Sequence, residues 1–114
     1  MATFTKVALS ASTDGLPVKV AATATAGTTI HTAHATSLDE VWLYAYNGHS
    51  ADVVLTVEFG GAPVPDQNII LTVSTKAGLI LVIPGLLLTN SKVLKAFAAT
   101  ANVITLSGFV NRIG

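Results

Sequence analysis

The chain has 114 residues, six Lys plus Arg against six Asp plus Glu, and no cysteine, so it reads as one electrically neutral domain. Its cations are dispersed and its thiols absent, which excludes a nucleic-acid footprint, a disulfide framework, a thiolate metal centre and a cysteine nucleophile. Only 11% of residues are charged and 51% are hydrophobic, against about 25% charged in an ordinary soluble domain, so part of the surface is expected to be shielded in an assembly.

Residue usage is strand-like throughout, and short periodic runs alternate with Gly, Pro, Asn, Asp and Ser breaks. The first run, Thr3 to Leu9, is followed by the turn-rich Ser10 to Gly15. Residues 1–15 therefore read as an N-terminal strand or arm with its loop, and 16–114 as the main domain. The leading residues, Met1 to Lys6, lack the basic and apolar regions of a secretory signal, and no stretch reaches transmembrane length. The expectation is a chain made in a cytoplasm, with no membrane partner.

Leu16 to Ala22 is a second strand, placed near an edge or strand start by Pro17. Thr28 to Ala35 is a third, and Thr36 to Glu40 reads as a break. Val41 to Asn47 alternates cleanly, with Val41, Leu43 and Ala45 on one face and Trp42, Tyr44 and Tyr46 on the other. Asn47-Gly48 then predicts a hairpin turn returning along Ala51 to Phe59. Gly60 to Gln67 is a loop, and Asn68 to Thr75 a strand. The most apolar run, Gly78 to Leu88, reads as two short strands, Leu79 to Ile83 and Leu86 to Thr89, meeting at a Pro84-Gly85 turn. Both faces are apolar, so one is expected on the home core and the other at a subunit contact. Lys92 to Ala98 and Asn102 to Val110 close the chain, with Gly108 marking a bulge. The fold expected is all-β: one antiparallel β-sandwich of eight or nine strands, jelly-roll or immunoglobulin-like.

Candidate chemistry is thin. His31 and His34 are three apart, a spacing that sends them to opposite faces of a strand. Chelation would need a third ligand such as His49 or Asp52, so the pair reads as exposed or hydrogen-bonded histidines and no metal or cofactor is implied. The acids fall mostly in breaks and strand ends, where solvated carboxylates belong. No nucleophile elbow or phosphate loop appears, and the chain reads as a non-enzyme. Trp42, Tyr44 and Tyr46 read as a buried or inter-subunit sheet face, with a sugar-stacking platform as the alternative.

The order from Val53-Val54-Leu55-Thr56-Val57-Glu58-Phe59-Gly60-Gly61, through Leu79 to Leu88 with its Pro-Gly turn, to the closing strand ending Ser107-Gly108-Phe109-Val110, resembles small β-sandwich structural proteins of tailed bacteriophages, especially capsid decoration (cement) proteins. The resemblance implies a virion structural protein on the capsid surface, a homotrimer that grips the major capsid protein through strand edges or a terminal arm. Neck, tail or fibre components and a carbohydrate-binding sandwich are the alternatives. On this reading the partner interface draws on Thr3, Phe4, Thr5, Val7 and Leu9 of the arm, Trp42, Tyr44 and Tyr46 of the aromatic stripe, and Leu86 and Leu88 of the apolar run.

Overall fold

The computed structural model describes residues 3–61 and 67–114. Nine strands form there: β1 (Phe4–Ala8), β2 (Val18–Lys19), β3 (Thr28–Thr32), β4 (Leu38–Asn47), β5 (Val53–Phe59), β6 (Asn68–Val73), β7 (Ile80–Leu88), β8 (Val93–Ala98) and β9 (Ile104–Ile113). They make two antiparallel sheets. Sheet A runs β1-β9-β4-β7, with the short β2 also on β9, and sheet B runs β3-β8-β5-β6.

This order is that of a jelly roll. Four antiparallel pairs, β1 with β9, β3 with β8, β4 with β7 and β5 with β6, are nested about the β5–β6 hairpin. A long folded-back ribbon has been rolled so that successive pairs alternate between sheets. The immunoglobulin-like alternative does not have this order.

Alternation in the sequence decides what is buried. Val41, Leu43 and Ala45 of β4, Leu55 and Val57 of β5 and Ile83 of β7 are fully buried between the sheets. Leu94 and Ala96 of β8 meet them with Ile104, Leu106 and Val110 of β9. Burial of the leucine, isoleucine and valine side chains among them contributes roughly 1.5–3 kcal/mol each.

Three expectations are corrected. The first is the hairpin at Asn47-Gly48. β4 and β5 lie in different sheets, and residues 47–52 cross between them. Asn-Gly is used here for its side chain rather than for a two-residue turn. Asn47 is buried, and its amide donates to the carbonyls of Ala51 (3.0 Å) and Val73 (2.9 Å) while its Oδ1 accepts from His49 N–H (2.8 Å). Every polar atom of that side chain is engaged. Asn47→Ala strands two carbonyls and should cost about 2 kcal/mol, read as a lowered urea midpoint at unchanged slope.

The second correction is the apolar run. Ile80 to Leu88 is one strand, not two. The register on β4 slips between Val41 and Trp42, so that Gly85 is a bulge at a sheet edge, where the missing N–H of Pro84 costs no ladder bond. Gly85 has φ +87°, and a Cβ there would lie 3.0 Å from the Trp42 indole. The Pro-Gly pair bends an edge strand around a large aromatic.

The third is Gly108, which sits in regular register opposite Leu43 with no bulge. Its role is close approach: a Cβ would meet the Trp42 carbonyl oxygen at 2.0 Å.

Candidate functional site

Two places in the fold gather polar or aromatic side chains beyond what packing needs. The first is a buried polar clamp between the sheets. β3 carries a register shift between Thr29 and His31, so Ile30 and His31, consecutive in sequence, are both buried. Without that irregularity one of them would face outward. His31 meets Asp39, which β4 brings in because that strand begins at Leu38, inside the stretch expected to be a break. Asp39 is fully buried.

The Asp39 carboxylate accepts from four donors. His31 Nε2–H lies 2.8 Å away and the His34 backbone N–H 3.2 Å away. The Arg112 fork donates through Nε (2.7 Å) and Nη2 (3.0 Å). Nδ1 of His31 accepts the Ser10 N–H at 3.0 Å, which assigns the donor N–H facing Asp39 to Nε2. Burial alone would raise the Asp39 pKa. The bonds from Arg112, His31 and His34 outweigh it and hold the carboxyl at about 2. The same bond raises the Arg112 pKa. The clamp joins β3 of sheet B to β4 and β9 of sheet A and fixes the loop after β1. Because His31 and Asp39 are shut from solvent, the arrangement holds the sheets together and offers no surface to a substrate.

The second place is the outer face of sheet A. Trp42 stands between Phe109 on β9, with ring centroids 6.1 Å apart and planes 12° from parallel, and the Gly85 bulge on β7. Its Nε1–H donates to Glu40 (2.6 Å), and Asn111 Nδ2 donates to the same oxygen (3.1 Å). These two bonds, the Trp42 one foremost, lower the Glu40 pKa. Lys6 lies 4.6 Å over the Phe109 ring. Tyr44 is half-buried and Tyr46 exposed on the same face. Beside them, at the free edge, β7 leaves Leu81, Leu86 and Leu87 about half exposed, preceded by Leu79 at 64%.

The expected interface residues divide. Phe4 (73% exposed), Thr3 and Thr5 are open, Val7 is half-buried and Leu86 is open. Leu9 and Leu88 are corrections: both are buried in the chain's own core, because the chain turns inward after β1 and β7 ends facing the clamp. The segment expected to serve as an arm is paired at home, Phe4 opposite Ile113 through Ala8 opposite Phe109. Trp42 is wedged between neighbours, so it is not a free stacking platform.

His34 uses Nδ1 to accept from the N–H groups of Thr36 (3.1 Å) and Ser37 (2.9 Å), away from His31. Among the described residues no group of three His, Cys, Asp or Glu side chains is placed to hold a metal ion. The acids were expected in solvent, but Asp39 and Glu58 are buried. For Asp39 the only signal in the sequence was its position two residues before a strong apolar alternation. Its partner Arg112 lies 73 residues away. The Gly60 to Gln67 loop, attached to the sugar-binding alternative, lies largely outside the described residues. No protein-family model, no curated protein and no solved structure matches the chain.

Proposed function

We propose that the chain is a structural protein that acts by assembling, through the free edge and outer face of sheet A, with copies of itself and with a larger protein shell. The observation that carries this reading is the row of exposed leucines, Leu81, Leu86 and Leu87 on β7 and Leu79 just before it, at an edge strand whose outward backbone groups have no strand beside them among the described residues. Natural edges are blunted by charge, by proline or by bulges; β7 has Pro84 and the Gly85 bulge in its middle but no charge among its exposed leucines. The sparse charge of the whole chain points the same way.

The resemblance to tailed-phage decoration proteins makes the shell a capsid and the assembly a trimer seated on the major capsid protein. The jelly roll accords with that, although the architecture hosts capsid and lectin domains alike and favours neither by itself. The function would be mechanical: apolar area buried at about 25 cal/mol per Å² opposes separation of capsomers.

Analytical ultracentrifugation of the purified chain tests the assembly. A discrete oligomer is expected, and Leu81→Lys combined with Leu87→Lys should weaken it by about a hundredfold or more. The variant monomer should keep its unfolding midpoint, because surface changes of this kind fall within about 0.5 kcal/mol. A wild type that stays monomeric and does not cosediment with capsids overturns the proposal. Counting copies in a purified particle separates a head component, present in hundreds, from a neck or tail component, present in a handful.

A further inference from the structure

The outer face of sheet B carries a second arrangement that assembly does not use. Glu58 lies on β5 between Val57, which is in the core, and Phe59, which packs against it, so its side chain faces away from the core, yet it is only 3% exposed. The loop before β3 covers it, and the Gly27 N–H donates to Oε1 at 2.7 Å. The other carboxylate oxygen, Oε2, is buried and has no hydrogen-bond partner among the described residues. Glu58 is flanked in register by Asn68 on β6 and Lys95 on β8. Asn68 leaves its own buried Oδ1 without a partner. Lys95 makes no ion pair with Glu58, since the ion pairs among the described residues are those of Asp39.

Two acceptor oxygens on paired residues thus lack a donor, a costly state inside a protein that calls for a specific partner. Glu58, though not Asn68, lines a cleft of about 260 Å³ together with Lys92 and Lys95 and with Val93, Ala26 and Gly60. Its size falls just under the roughly 300–1,000 Å³ of drug-sized sites, which favours a small metabolite. The carboxylate calls for N–H donors. The two lysines call for an anionic group on the same molecule and oppose a bare metal cation, which would also find only one carboxylate here.

We propose that this cleft binds a small zwitterion of the amino-acid class, its ammonium group donating to Glu58 and its carboxylate held by Lys92 and Lys95. The site lies on the sheet opposite the β7 edge and does not depend on the assembly reading.

The test is amide-resolved NMR titration of the full chain with L-alanine, β-alanine and γ-aminobutyrate. Methylammonium, acetate and glycine betaine, which has no N–H, are the controls. Saturable shifts at the Gly27, Gly60 and Lys95 amides are expected with at least one of the three amino acids. Its affinity should exceed that of methylammonium or acetate about tenfold. Glu58→Gln should weaken that ligand about tenfold or more. Lys92→Met with Lys95→Met, which leaves the buried carboxylate in place, should do the same and decides the matter if Glu58→Gln does not fold. No saturable binding by any of the three, equal binding by glycine betaine, or double-lysine and Glu58→Gln variants that bind like wild type would each overturn the proposal.

Discussion

Asp39→Ala should destabilise the fold by about 3–5 kcal/mol, the range for removing one partner of a buried ion pair. For a domain of this size that is a fall in Tm of roughly 10–20 °C. The reason is what stays behind. His31 is fully buried and keeps an Nε2–H with nothing to accept it. The His34 N–H loses its acceptor, and Arg112 loses a two-pronged contact. Arg112 is 27% exposed at its side chain and can turn to water, so its share is the smaller one. Asp39→Asn keeps an oxygen for His31 while removing the charge, and should fall between wild type and alanine. A Tm within a few degrees of wild type for Asp39→Ala would mean the clamp is decorative.

The same residue sets an acid limit. The folded-state pKa of Asp39 is depressed, from 3.8 to about 2. Its contribution is therefore fully present above about pH 4 and is lost as pH falls toward 2. The shift corresponds to about 2 kcal/mol. Urea unfolding of wild type should show stability dropping through that window, and Asp39→Ala should show a flatter profile there.

The strands were legible because each carries a period-two alternation that the jelly roll buries on one side. β4 is the clear case, with Val41, Leu43 and Ala45 all fully buried. What alternation cannot encode is which sheet a strand joins. β4 followed by β5 has the same pattern whether the connection is a hairpin or a crossing, and the difference lies in the side chain of Asn47 reaching Val73, 26 residues on. Proline followed by glycine likewise fits a turn or an edge bulge, and the indole of Trp42 selects the bulge. The clamp was hidden for a related reason. Its histidine depends on a register shift in β3, and its arginine arrives from the far end of the chain. The exposed half of β7 was visible directly, since a strand apolar on both faces has only one core to face.

Gly108→Ala should be nearly as damaging as loss of Asp39, and its sign is informative. At an unconstrained site the exchange stabilises by about 0.4–1 kcal/mol, because alanine restricts the unfolded chain. Here the added carbon would lie 2.0 Å from the Trp42 carbonyl oxygen, 3.0 Å from its carbon and 3.2 Å from Leu43 Cα. All three are backbone atoms, so no rotamer change relieves the overlap. The site is the middle of the ten-pair ladder between β4 and β9, at the centre of sheet A. To admit the methyl group the two strands must part locally, which breaks ladder bonds and displaces Leu43 and Val110 from the core. A cost of about 3–4 kcal/mol follows, above ordinary overpacking because backbone rather than side chains must yield. Hydrogen exchange should show the loss first at amides of β9 near residue 108 and at their partners on β4, while β5 and β6 of sheet B keep their protection until global unfolding. Ser107→Ala, one position away on the opposite face of the strand, should change the midpoint by less than about 0.5 kcal/mol. If the two substitutions prove equally mild, the strands are not packed backbone to backbone at this point.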